Sequence, residues 1–177
     1  FKNHRFIHDD VEGGARMDFT EFFGQAMVDR LETPCKAGLP SATIEEFFFN
    51  MDDAFRNGRP FIYILDSMDA LTTEEEDQKF RDQRRAKETG KAATGSYGTA
   101  KAKANSAGIR RIIPKLQQTG SILIVISQTR DSLSSYGPSK TRSGGHALRF
   151  YATLEIWSSI KGRIKRGVKG KDRQVGI

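Results

Sequence analysis

The stretch Phe61-Ile62-Tyr63-Ile64-Leu65-Asp66-Ser67 restricts the fold more than any other: five apolar residues, then a carboxylate, then a small hydroxyl. A near-continuous apolar run of this length suits a parallel strand covered on both faces by helices. In open α/β sheets, ligands bind beyond the carboxyl ends of such strands, which is where Asp66 falls. A carboxylate there suits Mg²⁺, held directly or through water beside a nucleotide phosphate. The same residues also read as a core strand followed by a helix with Asp66 as its N-cap, since Ala70-Leu71 continue an apolar pattern. A second run, Ser121-Ile122-Leu123-Ile124-Val125-Ile126-Ser127-Gln128, is the strongest strand in the sequence and also ends in a polar residue. Two such strands in one parallel sheet bring Asp66 and Gln128 to the same rim. Gln128 equally suits a merely soluble strand end.

The 177 residues, 37% hydrophobic and 10% aromatic, suit one α/β domain spanning 1–177 with a proper core. No apolar run approaches the ~18 residues of a membrane span, so the expectation is no membrane partner and a cytoplasmic location. A lone cysteine, Cys35, excludes an internal disulfide framework, and His4, His8 and His146 are scattered, which disfavours metal ligation by nitrogen or sulfur. The net charge of +7 hides a split. Residues 1–75 carry seven Lys and Arg against fifteen Asp and Glu, net −8; residues 76–177 carry twenty-two against seven, net +15. That asymmetry points to a polyanion partner for the second half, or to a solvated basic face. The chain opens on Phe1-Lys2-Asn3-His4 and stops at Gln174-Val175-Gly176-Ile177, so it reads as an excised piece, incomplete at both ends.

Phe6-Ile7-His8 is a short strand, followed by the acidic turn Asp9-Asp10-Val11-Glu12-Gly13-Gly14, which reads either as a general-base cluster or as a solvated turn. Phe19, Phe22, Phe23, Met27 and Leu31 recur at helical spacing and are expected in the core. Ser41 and Glu45 stand near capping-box register for a helix whose apolar face is Phe47, Phe48, Met51 and Phe55, stopped by Asn57-Gly58-Arg59-Pro60. Residues 72–105 are polar: Glu74-Glu75-Glu76 through Lys91 suit an ion-paired helix, but Thr94-Gly95-Ser96-Tyr97-Gly98 do not stay regular. The expectation is a mobile basic loop over about 72–105, suited to single-stranded nucleic acid, or plain disorder. Gly90-Lys91 fails the phosphate-loop pattern, because Arg85 stands where glycine is needed and Ala92 where Ser or Thr is. Ile109, Ile112, Ile113 and Leu116 line a further helix that Pro114 either kinks or opens. Residues 131–145 read as a second mobile loop, His146 to Tyr151 as renewed order, Ala152 to Trp157 as a strand, and Lys161 to Lys171 as a basic edge.

Four segments carry a resemblance. Ile64-Leu65-Asp66-Ser67-Met68-Asp69-Ala70-Leu71 resembles the Walker B strand of RecA-type recombinases. Ile124-Val125-Ile126-Ser127-Gln128-Thr129-Arg130 resembles the strand and glutamine before their second DNA loop. Gly144-Gly145-His146-Ala147-Leu148-Arg149-Phe150-Tyr151-Ala152 follows the family's GGNALKFYA pattern with two changes, and Val168-Lys169-Gly170-Lys171 its VKNK segment. Order and spacing agree over about residues 60–171; residues 1–20 match weakly and 20–60 hardly at all. The divergence resembles a phage-type relative.

The resemblance implies a RecA-like P-loop NTPase core, mostly parallel sheet flanked by helices, with ATP and Mg²⁺ as cofactors. It implies a DNA-dependent ATPase that forms filaments on single-stranded DNA and exchanges strands with double-stranded DNA. Asp66, with Ser67 beside it, would organise the metal ion and its waters, and Gln128 would sense the γ-phosphate. Asp10 falls where the family keeps its catalytic carboxylate, with Glu12 as the alternative. Lys169 and Lys171 would reach a neighbouring subunit's nucleotide in trans, as arginine fingers do, in a filament or ring. Tyr97, Lys101, Arg130, Tyr136, Lys140, Arg142, Gly144, Gly145 and Arg149 would border DNA. The Walker A loop and the polymerisation segment, which lie upstream in the family, are not in this sequence, so the chain alone is expected to bind ATP poorly. In the family's sheet order, a strand absent here lies between 121–127 and 152–157. Other RecA-fold motors (a hexameric helicase, a clock-type ATPase) and a degenerate, non-hydrolysing DNA-binding module are the competing readings.

Overall fold

The computed structural model describes residues 3–14, 18–90, 99–131, 140–142, 147–159, 162, 165–168 and 171–174, with backbone alone at 130–131, 140–142, 165–168 and 171–174. Four parallel strands form the central sheet: β1 (Arg5–Asp10), β2 (Leu31–Glu32), β3 (Phe61–Asp66) and β4 (Ile122–Val125), in the order β2-β1-β3-β4. Between them run the short helices α1 (Phe19–Phe23) and α2 (Gln25–Val28), then α3 (Ile44–Arg56), α4 (Glu74–Thr89) and α5 (Ala100–Thr119). Beyond β4 come β5 (Thr129–Asp131), β6 (Lys140–Arg142), α6 (Ala147–Tyr151), β7 (Lys165–Val168) and β8 (Lys171–Gln174). This is an α/β fold with a parallel sheet and flanking helices, as the sequence pattern anticipates.

The core lies on one face of the sheet. Ile7, Phe61, Tyr63 and Leu65 are buried there against Phe47 and Met51 of α3 and Ile109 and Ile112 of α5. Each fully buried large apolar side chain contributes about 1.5–3 kcal/mol. The alternate residues Ile62, Ile64 and Asp66 are only half-buried, and Ile124 of β4 is 44% exposed. The expectation of a strand covered on both faces is therefore corrected: among the described residues one face of the sheet is buried and the other is half-buried to exposed.

Other local expectations change for physical reasons. Asp9 and Asp10 are strand residues rather than a turn, and Asp9 is fully buried. The Phe19–Leu31 stripe is not core: Gly24, at φ 79°, divides it into two short helices without a buried residue, and Phe22 and Phe23 are exposed. The cap of α3 is Thr43, which accepts from Glu46 N while the Glu46 carboxylate accepts from Ala42 N. Ser41 is thereby left to bind Asp9. Within 72–105, Glu74–Thr89 is helical, capped by Thr73 and ended by Gly90 at φ 69°, with Lys79–Glu75 and Arg84–Glu88 pairs along it. Pro114 sits inside α5 rather than in its first turn.

Segment 131–145 starts and returns as an antiparallel ribbon, Thr129 opposite Arg142 and Asp131 opposite Lys140. Ala152–Trp157 is not a strand: among the described residues no strand lies hydrogen-bonded alongside it, and Leu154, Ile156 and Trp157 remain exposed. The basic edge contains the hairpin β7–β8. No helix among the described residues is long and apolar enough to cross a membrane.

Candidate functional site at the carboxyl rim of the sheet

β1, β3 and β4 run in parallel, so their carboxyl ends share an edge. Asp10 lies opposite Asp66 in the β1–β3 register, which puts both carboxylates on the open face. The chain leaving β1 folds over the end of β3: Val11 N and Glu12 N both donate to the Asp66 carbonyl, at 2.7 and 3.2 Å. That turn brings Glu12 to the rim, where its Oε1 accepts from the Ser67 hydroxyl and, at 3.0 Å, from the Gln128 amide. Asp10 closes the same turn by accepting from Gly14 N at 3.0 Å. The Asp66–Ser67 peptide is cis.

Burial, followed by the negative charges of Asp10 and Glu12, raises the Asp66 pKa above the ordinary carboxylate value, with His8 opposing. No hydrogen bond within the described residues occupies the Asp66 carboxylate. A cation beside it relieves this crowding, so the residues fit Mg²⁺. No group of three or more His, Cys, Asp or Glu among the described residues is placed to cage a metal. Mg²⁺ needs no such cage, because it is commonly held by one or two carboxylates with waters and phosphates.

Sequence reasoning assigns no role to two residues that build this rim. Asp9 is buried and accepts from Ser41 N (2.9 Å), Ser41 Oγ (2.6 Å) and Tyr63 OH (2.7 Å), fixing the end of β1 to β3 and to the lead of α3. Its only sequence sign is a second acid beside Asp10. Asp69, in the turn after β3, accepts from Ser127 Oγ at 2.9 Å and from Gln128 N at 2.7 Å. No periodicity marks it.

The expected DNA-facing residues are less fully described. Lys101, on the first turn of α5, lies 3.5 Å from the Asp69 carbonyl. Arg130 is in β5, which starts one residue after Gln128, and Lys140 and Arg142 are in β6; Lys171 opens β8. Arg149, on α6, pairs with Glu155 at 3.3 Å. Tyr97, Tyr136, Gly144, Gly145 and Lys169 lie outside the described residues. A cavity of about 570 Å³ lined by His4, Arg5, Arg30, Glu32 and Arg59 sits at the opposite, amino-terminal edge. Its arginines are engaged: Arg5 grips Glu32, and Arg30 donates to the His4 carbonyl.

No family model matches the chain. Over 171 residues (95% of the chain, 44% of the relative) it is 26% identical to the protein RecA of Azoarcus sp.. It is 28% identical over 135 residues (72% of the chain, 28% of the relative) to the mitochondrial DNA repair protein recA homolog 3 of Arabidopsis thaliana. Over 118 residues (66% and 28%) it is 28% identical to the protein RecA of Fusobacterium nucleatum. The chain thus spans between 28 and 44% of the length of these relatives. Those similarities and the parallel α/β core together make the chain a divergent relative of the RecA-type proteins.

Proposed function

We propose that this chain is the core of an ATP-dependent DNA recombinase whose full-length parent binds single-stranded DNA, hydrolyses ATP when DNA is bound, and pairs the strand with a duplex. The observation that carries this reading is Glu12, which joins the Ser67 hydroxyl after β3 to the Gln128 amide after β4, so that both strand ends serve one site. In this reading Asp66 holds Mg²⁺, which when bound neutralises phosphate charge. Glu12 or Asp10 takes the proton of the attacking water. Glu12 is favoured because its carboxylate already contacts Gln128, whereas that of Asp10 closes the Gly14 turn. Gln128 contacts the terminal phosphate and starts the β5–β6 ribbon one residue later, a short lever from nucleotide to DNA. Lys169 and Lys171 act on a neighbouring subunit's nucleotide.

Basic residues of the second half, among them Lys101, Arg130, Lys140, Arg142 and Arg149, supply phosphate contacts, with Tyr97 and Tyr136 stacking on bases and Gly144-Gly145 allowing close backbone approach. The test is DNA-stimulated ATP hydrolysis by the parent with Asp66→Ala and Gln128→Ala. Each change is expected to lower stimulated turnover at least tenfold; wild-type stimulation in either variant removes the assigned role. Single changes at Glu12 and Asp10 identify the base by which one abolishes turnover.

A further inference from the structure

Resting on that reading, we propose that Asp69 is a positioning residue for hydrolysis: its carboxylate pins the main chain of Gln128 to the turn after β3, so that the glutamine side chain meets Glu12 at the rim. β4 ends at Val125 and β5 begins at Thr129, so residues 126–128 lie in no strand. Ile126 is still held by β3 and its turn, donating to Leu65 O and accepting from Met68 N, both at 3.0 Å. Beyond it the hold passes to one Asp69 oxygen, Oδ2, which accepts from Ser127 Oγ at 2.9 Å and Gln128 N at 2.7 Å. Gln128 itself is exposed, so packing does not fix its rotamer.

The other oxygen, Oδ1, is buried and has no hydrogen-bond partner among the described residues. A carboxylate oxygen in that state carries a desolvation cost that an alanine would not. The position therefore bears a cost and returns a grip on the Gln128 main chain. The same turn receives Lys101 from α5, so the leads into both basic segments meet β3 at Asp69. Catalytic groups need placement within roughly 0.5 Å, and a 1 Å displacement can cost about a hundredfold in rate.

The experiment compares Asp69→Ala, Asp69→Asn, Gln128→Ala and the double variant Asp69→Ala/Gln128→Ala in the full-length parent, by amide hydrogen exchange at Gln128 and by DNA-stimulated ATP hydrolysis. Asp69→Ala is expected to speed exchange of the Gln128 amide at least tenfold and to lower kcat about 10- to 100-fold, with KM for ATP within about threefold. Asp69→Asn, which keeps an acceptor oxygen, is expected to recover most of both and stands in if the alanine variant does not fold. Because Asp69 acts through Gln128, the double variant is expected to be no slower than Gln128→Ala alone. Unchanged exchange at Gln128, unchanged kcat in a stimulated enzyme, or additive losses in the double variant would each overturn the proposal. A wild-type parent without DNA-stimulated hydrolysis instead sinks the recombinase reading, and the exchange measurement still decides whether the pin exists.

Discussion

Tyr63→Phe tests how the rim is held in place. Tyr63 is fully buried, and its hydroxyl donates to Asp9 Oδ2 at 2.7 Å. Burial, then the Asp9 charge, pushes the Tyr63 pKa far up, so the phenol remains a donor at any working pH. Phenylalanine fills the same space, so no cavity opens, and Asp9 keeps its two bonds from Ser41. What is lost is one hydrogen bond to a buried charged group, about 1.5–3 kcal/mol. At roughly 2–4 °C per kcal/mol for a chain of this size, the melting temperature falls by about 3–12 °C. Urea unfolding followed by circular dichroism reads the change, with an unaltered slope showing that native compactness is kept. In a double-mutant cycle with Asp9→Asn, the two changes couple by about 1 kcal/mol or more. A loss below about 0.5 kcal/mol, or full additivity, refutes the view that Tyr63 and Asp9 fix the exit of β1 beside Asp10.

Asp66→Asn is expected to stabilise the fold at pH 7. The folded-state pKa of Asp66 is raised, so the native state binds its proton more tightly, and stability falls as pH rises from the unfolded through the folded value. The gain in melting temperature should therefore shrink as pH is lowered to 4; a lower melting point than wild type at pH 7 counts against it. Gly108→Ala puts a Cβ 2.1 Å from the Phe48 ring at the α3–α5 contact. Overpacking of about 1–3 kcal/mol outweighs the ~1 kcal/mol gained in helix propensity, so denaturant melts should show net destabilisation that Phe48→Leu relieves. DNA binding by the parent should weaken steeply with salt, with a log–log slope of ~0.7 per phosphate contact on single strands; a flat salt dependence rules out phosphate-led binding.

The long apolar runs at 61–65 and 122–126 made the parallel strands and their shared rim legible, because short apolar runs bounded by polar residues suit buried strands of an α/β sheet. Asp66 and Gln128 were legible for the same reason, as polar residues terminating such runs. The Phe19–Leu31 stripe misled because periodicity is blind to Gly24 at positive φ, which cuts one amphipathic helix into two exposed ones. The turn assigned at Asp9-Asp10 misled because a buried carboxylate is tolerated only with partners far along the chain, here Ser41 and Tyr63, which local patterns do not reveal. Asp69 is invisible for a similar reason: its partners lie 58 and 59 residues away. The strand expected at 152–157 shows that alternation needs a neighbouring strand before it becomes a ladder.

The nucleotide site proposed at the ends of β3 and β4 is tested most directly by replacing Mg²⁺ with paramagnetic Mn²⁺, together with ATP, in the isotope-labelled parent and recording line broadening of backbone amides. Strong broadening at Glu12, Asp66 and Gln128, with none at Arg59 beyond the opposite end of β3, is the result predicted here. Broadening that spares Asp66 or Gln128 would contradict the assignment of both residues to one nucleotide site.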